Sequence, residues 1–182
     1  NPIVVNPLCA EYREWKICGM GPPSSGGITV LQILGILSNF DLKNMSNESV
    51  WHLYIEASKL AYTDRNYYIA DTDFVKVPVE QMLSSSYLSK RSKLIDINAV
   101  LKNVNPGNFE SFDISNIGND TTSEIASTTH ISIIDSYGNA ISMTSSIEFM
   151  FGSGLMSSGF LLNNQMTDFS FYPKDEKGNI IA

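Results

Sequence analysis

The stretch Thr128-Thr129-His130-Ile131-Ser132-Ile133-Ile134-Asp135-Ser136-Tyr137-Gly138-Asn139-Ala140-Ile141-Ser142-Met143-Thr144-Ser145-Ser146 decides how this chain is read. Residues 128–134 and 139–145 are β-type runs of alternating polarity, with the turn formers Asp135-Ser136-Tyr137-Gly138 between them. Together they predict a β-hairpin. If the hairpin is symmetric about Tyr137, Thr128 and Ser146 face each other across it, and one hydroxyl can orient the other. The sequence changes character sharply at Thr128. Residues 103–127 are rich in Asn, Ser, Asp, Thr and Gly, which predicts a solvated, mobile loop.

A polar loop running straight into a strand that opens Thr-Thr-His suits N-terminal-nucleophile chemistry. In such hydrolases the chain is cut before a Thr, Ser or Cys. The freed α-amine, with an ordinary pKa of about 7.7–8.0, then serves as base for that residue's own side chain. The scissile bond must lie in an accessible loop and the nucleophile at the edge of a rigid sheet; Ser127-Thr128 meets both demands. A plainer reading stands beside this one. Thr-Thr pairs are common in strands, and a cross-strand Thr–Ser contact is ordinary sheet stabilisation. Composition does not choose between Thr128 and Thr129, whereas Thr121-Thr122 has no strand after it.

Downstream, Gly152, Gly154 and Gly159 loosen the chain before a third short apolar strand at Phe160-Leu161-Leu162, and a polar tail follows. Upstream, residues 14–20 read as a strand. Gly21-Pro22-Pro23-Ser24-Ser25-Gly26-Gly27 is a loop dense in turn formers, without the Lys and spacing of a phosphate-binding motif. Residues 28–38 are apolar on nearly every side, the mark of a buried helix. Residues 48–69 carry Val50, Leu53, Tyr54, Ala57, Leu60 and Ala61 at helical spacing, with Ser46 or Asn47 as cap. Short helices are expected over 78–84, with Pro78 in the first turn, and over 86–94. Tyr54, Tyr62, Tyr67 and Tyr68 read as core and boundary aromatics and His52 as a packing or surface residue. Lys90, Arg91 and Lys93 read as a solvated helix face. Neither an internal repeat nor a separate second domain is evident, so residues 1–182 are read as one core fragment.

The 182 residues suffice for one medium-sized folded domain. A net charge of −7 makes nucleic acid and anionic lipid poor partners. No run approaches the roughly 20 apolar residues that span a bilayer. The start, Asn1-Pro2-Ile3-Val4-Val5, lacks the basic region of a signal peptide and looks like a cut end. A hairpin turning at Arg13-Glu14 places Cys9 opposite Cys18, within disulfide reach; two free buried thiols are the alternative. The Cys and His spacings of metal sites are absent, and no cofactor is expected.

Several motifs occur together in order. Thr128-Thr129-His130-Ile131-Ser132, Asp135, Gly138-Asn139-Ala140, Phe151-Gly152-Ser153-Gly154 and Leu161-Leu162-Asn163-Asn164-Gln165-Met166 resemble γ-glutamyltranspeptidases. Gly21 to Gly27, Asp64-Arg65 and Asp73-Phe74-Val75-Lys76-Val77-Pro78 are similar to that family's large subunit. The resemblance runs along nearly the whole chain and is weakest over 1–12 and 95–127. It implies an α+β fold, part of an αββα sandwich. It also implies self-cleavage at Ser127-Thr128 that turns one precursor into a large and a small subunit. Residues 1–127 would end the first, with 103–127 the mobile loop before the cut, and 128–182 would begin the second.

The activity implied is γ-glutamyl transfer or hydrolysis on glutathione-like donors, to water or to an amino acid or peptide acceptor, in the periplasm or outside the cell. Thr128 stands at the nucleophile's position, and His130 follows it as a structural histidine. Ser146 stands where the family usually has a Thr bonded to the nucleophile. Gln165 and Asp168 stand where the donor's α-amino group is held; a carboxylate suits an ammonium, and an amide carbonyl adds an acceptor. Glu148 departs from the Asn of many members. A second carboxylate would strengthen ammonium binding or admit an extended substrate, so a related amidase, such as a poly-γ-glutamate depolymerase or an acylase, is an alternative. So is a non-enzymatic binding module of the same fold.

The resemblance also implies a carboxylate-clamping arginine, a Ser-Ser pair and oxyanion glycines that lie outside these residues. Each missing oxyanion donor costs roughly 3 kcal/mol or more. The 182-residue chain alone is therefore expected to be inactive, with Ser127-Thr128 uncut.

Overall fold

A computed structural model describes residues 4–109, 117–118, 128–168 and 170–181. The chain divides into two units, residues 1–120 with 174–182, and residues 121–173.

The first unit opens with an antiparallel hairpin, β1 (Leu8–Tyr12) and β2 (Trp15–Gly19). It turns at Arg13, at φ 58°. Its register sets Cys9 opposite Cys18, and the two form a disulfide. The loop that follows brings Gly27 against β2: a Cβ there would lie 2.2 Å from the Met20 carbonyl oxygen, so only glycine admits the approach.

Helix α1 (Gly26–Leu37) then buries Ile28, Leu31, Ile36 and Leu37, as its nearly unbroken apolar run requires. Helix α2 (Asn47–Tyr68) begins where Ser46 Oγ accepts from Ser49 N at 3.3 Å, the capping bond that satisfies an otherwise orphan amide. Its buried stripe, Leu53, Ala57, Leu60, Ala61, Asp64 and Tyr68, follows the helical period. Helices α3 (Val79–Met82) and α4 (Ser85–Ser92) complete the helical layer, the latter capped by Ser84. Every sequence-predicted helix is present, with ends shifted by a few residues.

One charged residue of this unit departs from expectation. Lys90 and Lys93 are exposed, but Arg91 is buried at 5% exposure and does not belong to a solvated face. It lies three and four residues after the buried Leu88 and Tyr87, so the helical period carries it inward. There it meets Asp64, which is fully buried. Asp64 Oδ1 accepts from Arg91 Nη2 at 3.0 Å and Gly107 N at 2.8 Å. Asp64 Oδ2 accepts from Gln32 Nε2 at 3.1 Å and the Tyr87 hydroxyl at 2.5 Å. Arg91 also donates to the carbonyls of Leu60 and Asn105. Burial pushes the Asp64 carboxyl above the usual carboxylate range, against the pull of Arg91 and the other donors. Burial likewise pushes Tyr68, which donates to the Gly107 carbonyl, up to about 12.

Of the predicted 103–127 loop, residues 110–116 and 119–127 lie outside the described residues. Within it, β3 (Ile117–Gly118) pairs in parallel with β8 (Ile180–Ile181).

In the second unit, β4 (Thr129–Ile134) and β5 (Ala140–Ser145) form the expected hairpin. The register runs from Thr129↔Ser145 to Ile134↔Ala140 and is symmetric about Tyr137. Asp135 closes the turn. Its Oδ1 accepts from Tyr137 N and Asn139 N, both at 2.9 Å, and its Oδ2 accepts from Asn139 Nδ2 at 2.8 Å. These donors hold its carboxyl below the usual range, the Asn139 amide most of all. Asp175-Glu176-Lys177-Gly178-Asn179 repeats the same Asp-x-x-Gly-Asn bonding in the first unit. A short hairpin, β6 (Met156–Ser157) with β7 (Phe160–Leu161), follows.

Candidate active site

Thr128 sits immediately before β4 and is exposed. The hairpin register extended by one residue brings it opposite Ser146, and the Thr128 hydroxyl donates to Ser146 Oγ at 3.1 Å. Ser146 Oγ also accepts from Glu148 N at 2.9 Å, a local serine turn that folds the chain back at the strand's end. Ser146 Oγ is therefore fixed by the backbone and in turn fixes the rotor of the Thr128 hydroxyl. Because Thr128 donates to it, the lone pairs of Thr128 Oγ1 are turned elsewhere, as a nucleophile needs.

The same strand face continues with His130. Its Nδ1 lies 2.9 Å from Thr144 Oγ1, and its Nε2 lies 3.1 Å from Ser132 Oγ and 3.2 Å from Ser142 Oγ. Both nitrogens are engaged by hydroxyls of the hairpin itself, which agrees with the structural role expected of it.

Beyond Ser146, residues 147–149 lace to 163–167. Phe149 N donates to Asn164 Oδ1 at 3.0 Å and Asn164 N to the Ile147 carbonyl at 3.3 Å. Gly152, at φ 53°, passes so close that a Cβ would lie 2.1 Å from the Leu162 carbonyl oxygen. This lacing carries Glu148, at φ 67°, a left-handed conformation that a non-glycine residue holds only under constraint. The Thr167 hydroxyl donates to Glu148 Oε1. Oε2 of the same carboxylate is shut off from solvent and has no hydrogen-bond partner among the described residues.

Gln165 opens a 3-10 turn over Gln165–Asp168, its amide held by Asn163 Oδ1 at 3.0 Å. Four of the sequence-predicted site residues, Thr128, Ser146, Glu148 and Gln165, thus belong to one unit, and Thr128, Ser146 and Glu148 are joined by hydrogen bonds. The Asp168 side chain and Ser127 lie outside the described residues. Thr167 was not singled out from the sequence.

A Thr-Thr-His hairpin, followed by a laced Asn-Asn-Gln turn, is one part of a longer pattern. The profile of the family described as Gamma-glutamyltranspeptidase matches residues 1–181. The chain belongs to the gamma-glutamyltranspeptidase family. The glutathione hydrolase proenzyme of Escherichia coli K12 is 38% identical over 173 residues, 92% of this chain and 28% of that protein. The crystal structure of Helicobacter pylori gamma-glutamyltranspeptidase superimposes with a TM-score of 0.55 at 35% identity, over 59% of this chain and 32% of that one. Cephalosporin acylase from Bacillus halodurans gives 0.72 at 26% identity, over 97% of this chain and 30% of that one.

The chain therefore spans less than a third of the length of the relatives it matches. Its fold is that of the N-terminal-nucleophile hydrolases, the mixed α+β class read from the sequence, present as a segment. Thr128 falls inside this gamma-glutamyltranspeptidase segment, not at its margin.

Proposed function

We propose that this chain supplies the nucleophile and the donor-ammonium site of an enzyme that transfers or hydrolyses γ-glutamyl groups of glutathione-like donors. The observation that carries this is the 3.1 Å bond from the Thr128 hydroxyl to Ser146 Oγ at the head of β4. In the full-length protein, hydrolysis of the Ser127–Thr128 bond frees the Thr128 α-amine and separates a large subunit ending at residue 127 from a small one beginning at 128. The hydroxyl proton turns from Ser146 Oγ to the amine, which takes it as Oγ1 attacks the γ-carbonyl carbon. The proton passes to the departing amine as the C–N bond breaks, leaving a γ-glutamyl ester on Thr128. Water, or the amine of an amino acid or peptide, then attacks that ester and releases Thr128. Glu148, Gln165 and Asp168 hold the donor's α-ammonium by charge and hydrogen bonding. The carboxylate clamp and the oxyanion donors come from elsewhere in the full-length protein.

Ser146→Ala in the full-length enzyme tests this. Loss of the orienting hydroxyl is expected to lower kcat for a γ-glutamyl anilide by roughly 10- to 100-fold with little change in KM, and Ser146→Thr is expected to restore it. An unchanged kcat in Ser146→Ala would remove the Thr128–Ser146 bond from the mechanism.

An acylase reading is favoured by one observation, the likeness to cephalosporin acylase over 97% of the chain. It keeps the same nucleophile and changes the acyl group; turnover of a cephalosporin amide exceeding that of a γ-glutamyl anilide would establish it. We further propose that the protein works in the periplasm or outside the cell, because a Cys9–Cys18 disulfide persists in an oxidising compartment.

A further inference from the structure

The hairpin β1–β2 has little to hold it besides its disulfide. It is a sheet of two strands, with no third strand beside it among the described residues, and a lone hairpin is at best marginally stable in water. Its turn sets Arg13 at φ 58°, a conformation that two-residue turns normally give to glycine or asparagine. Packing secures the open end, where Leu8 lies against the helical core and Gly19 against Gly27. Toward the turn the support stops. Ala10 and Tyr12 line a cavity of about 270 Å³ whose other walls include Leu31, Leu34 and Leu88. Trp15 shares the inward parity of Ile17 and Gly19, yet it is 63% exposed. Cys9 and Cys18 lie on the opposite face, and both are exposed. Beside them on that face Glu11 and Lys16 stand directly opposite each other. Their charges offset, so an approaching thiolate meets no net negative charge there. Exposed disulfides are the labile ones, because exchange needs access to a sulfur.

We propose that Cys9–Cys18 is a thiol–disulfide exchange site for small thiols, and that this bond is the clasp on which the hairpin depends. A thiolate attacks one Sγ, the S–S bond breaks, and the other cysteine leaves as a thiolate that takes up the proton released by the attacking thiol. A second thiolate attacks the mixed disulfide in the same way. The small thiol is oxidised to its own disulfide, and both cysteines end as thiols. The strands then part between Cys9 and Cys18 while α1 to α4 stay folded. The inference is independent of the γ-glutamyl reading.

The test uses the full-length protein and 2-mercaptoethanol, a thiol with no γ-glutamyl group. Treatment without denaturant, followed by iodoacetamide, is expected to alkylate both Cys9 and Cys18. Trypsin cleavage after Lys16, in the middle of the exposed face of β2, is expected to become roughly tenfold faster on reduction, as local opening exposes the strand. Helical circular dichroism should be retained. The double variant Cys9→Ser with Cys18→Ser is expected to be cut after Lys16 at the reduced rate, with or without thiol. A bond that resists the thiol until denaturant is added would overturn the proposal. So would reduction that leaves cleavage after Lys16 unchanged, or a double-serine variant cut no faster than the oxidised protein. Loss of the helical signal on reduction would also overturn it, because the opening would then not be confined to the hairpin.

Discussion

Thr128→Ala in the full-length enzyme is expected to reduce γ-glutamyl anilide turnover by roughly 10,000-fold or more, the loss seen when a covalent nucleophile is deleted. The size follows from the dual role assigned to the residue. In the proposed function its hydroxyl attacks the donor and is also needed to cut the bond before it, so the substituted precursor is expected to remain one chain. Thr129→Ala supplies the contrast. Thr129 begins β4 and pairs with Ser145, so its side chain points to the face opposite Thr128 and Ser146. Its removal is expected to leave processing intact and kcat within a few-fold of wild type. The two substitutions decide between adjacent threonines that composition alone does not separate. Processing and turnover that survive Thr128→Ala would remove it from the chemistry.

The second large effect concerns stability. Asp64→Asn is expected to destabilise the helical unit by about 3–5 kcal/mol, because it leaves the Arg91 guanidinium buried with no anion. Arg91 is 5% exposed, and Asp64 is its only salt-bridge partner among the described residues. The amide substituted for the carboxylate would also set an NH2 group against donors from Gln32, Tyr87 or Gly107. Burial pushes the Asp64 carboxyl up against the pull of its partners, and the desolvation of both charges makes such a buried pair contribute less than its disruption costs. The double substitution Asp64→Leu with Arg91→Met is accordingly expected to recover much of the loss. Urea denaturation of the chain read by helical circular dichroism checks both, since α1 to α4 all lie in this unit. A change below about 1 kcal/mol in Asp64→Asn, the range of exposed ion pairs, would contradict the assignment.

Much of this was legible in the sequence because the governing patterns are local. Alternation fixed the two strands around Tyr137, the turn chemistry of Asp135 and Gly138 fixed their register, and the register alone placed Thr128 beside Ser146. The placing of Cys9 opposite Cys18 followed from the same symmetry about Arg13-Glu14, whereas the bond between them did not, because two opposed thiols can equally stay free. What escaped was long-range. Arg91 looked like one of three solvated bases because its partner is 27 residues away on another helix. The period that buries Tyr87 and Leu88 held the clue. Thr167 escaped for the same reason, since nothing local ties it to Glu148, 19 residues earlier. The repeated Asp-x-x-Gly-Asn turns at 135 and 175 were local and visible, and mark the second turn in what reads as a plain polar tail.

The central claim is that Thr128 becomes a chain terminus and nucleophile, and the intact mass of the denatured full-length protein tests it most directly. Two polypeptides, the smaller with a mass that places Thr128 at its start, are the expected result. A single uncut polypeptide, in a preparation that turns over a γ-glutamyl anilide, would contradict it.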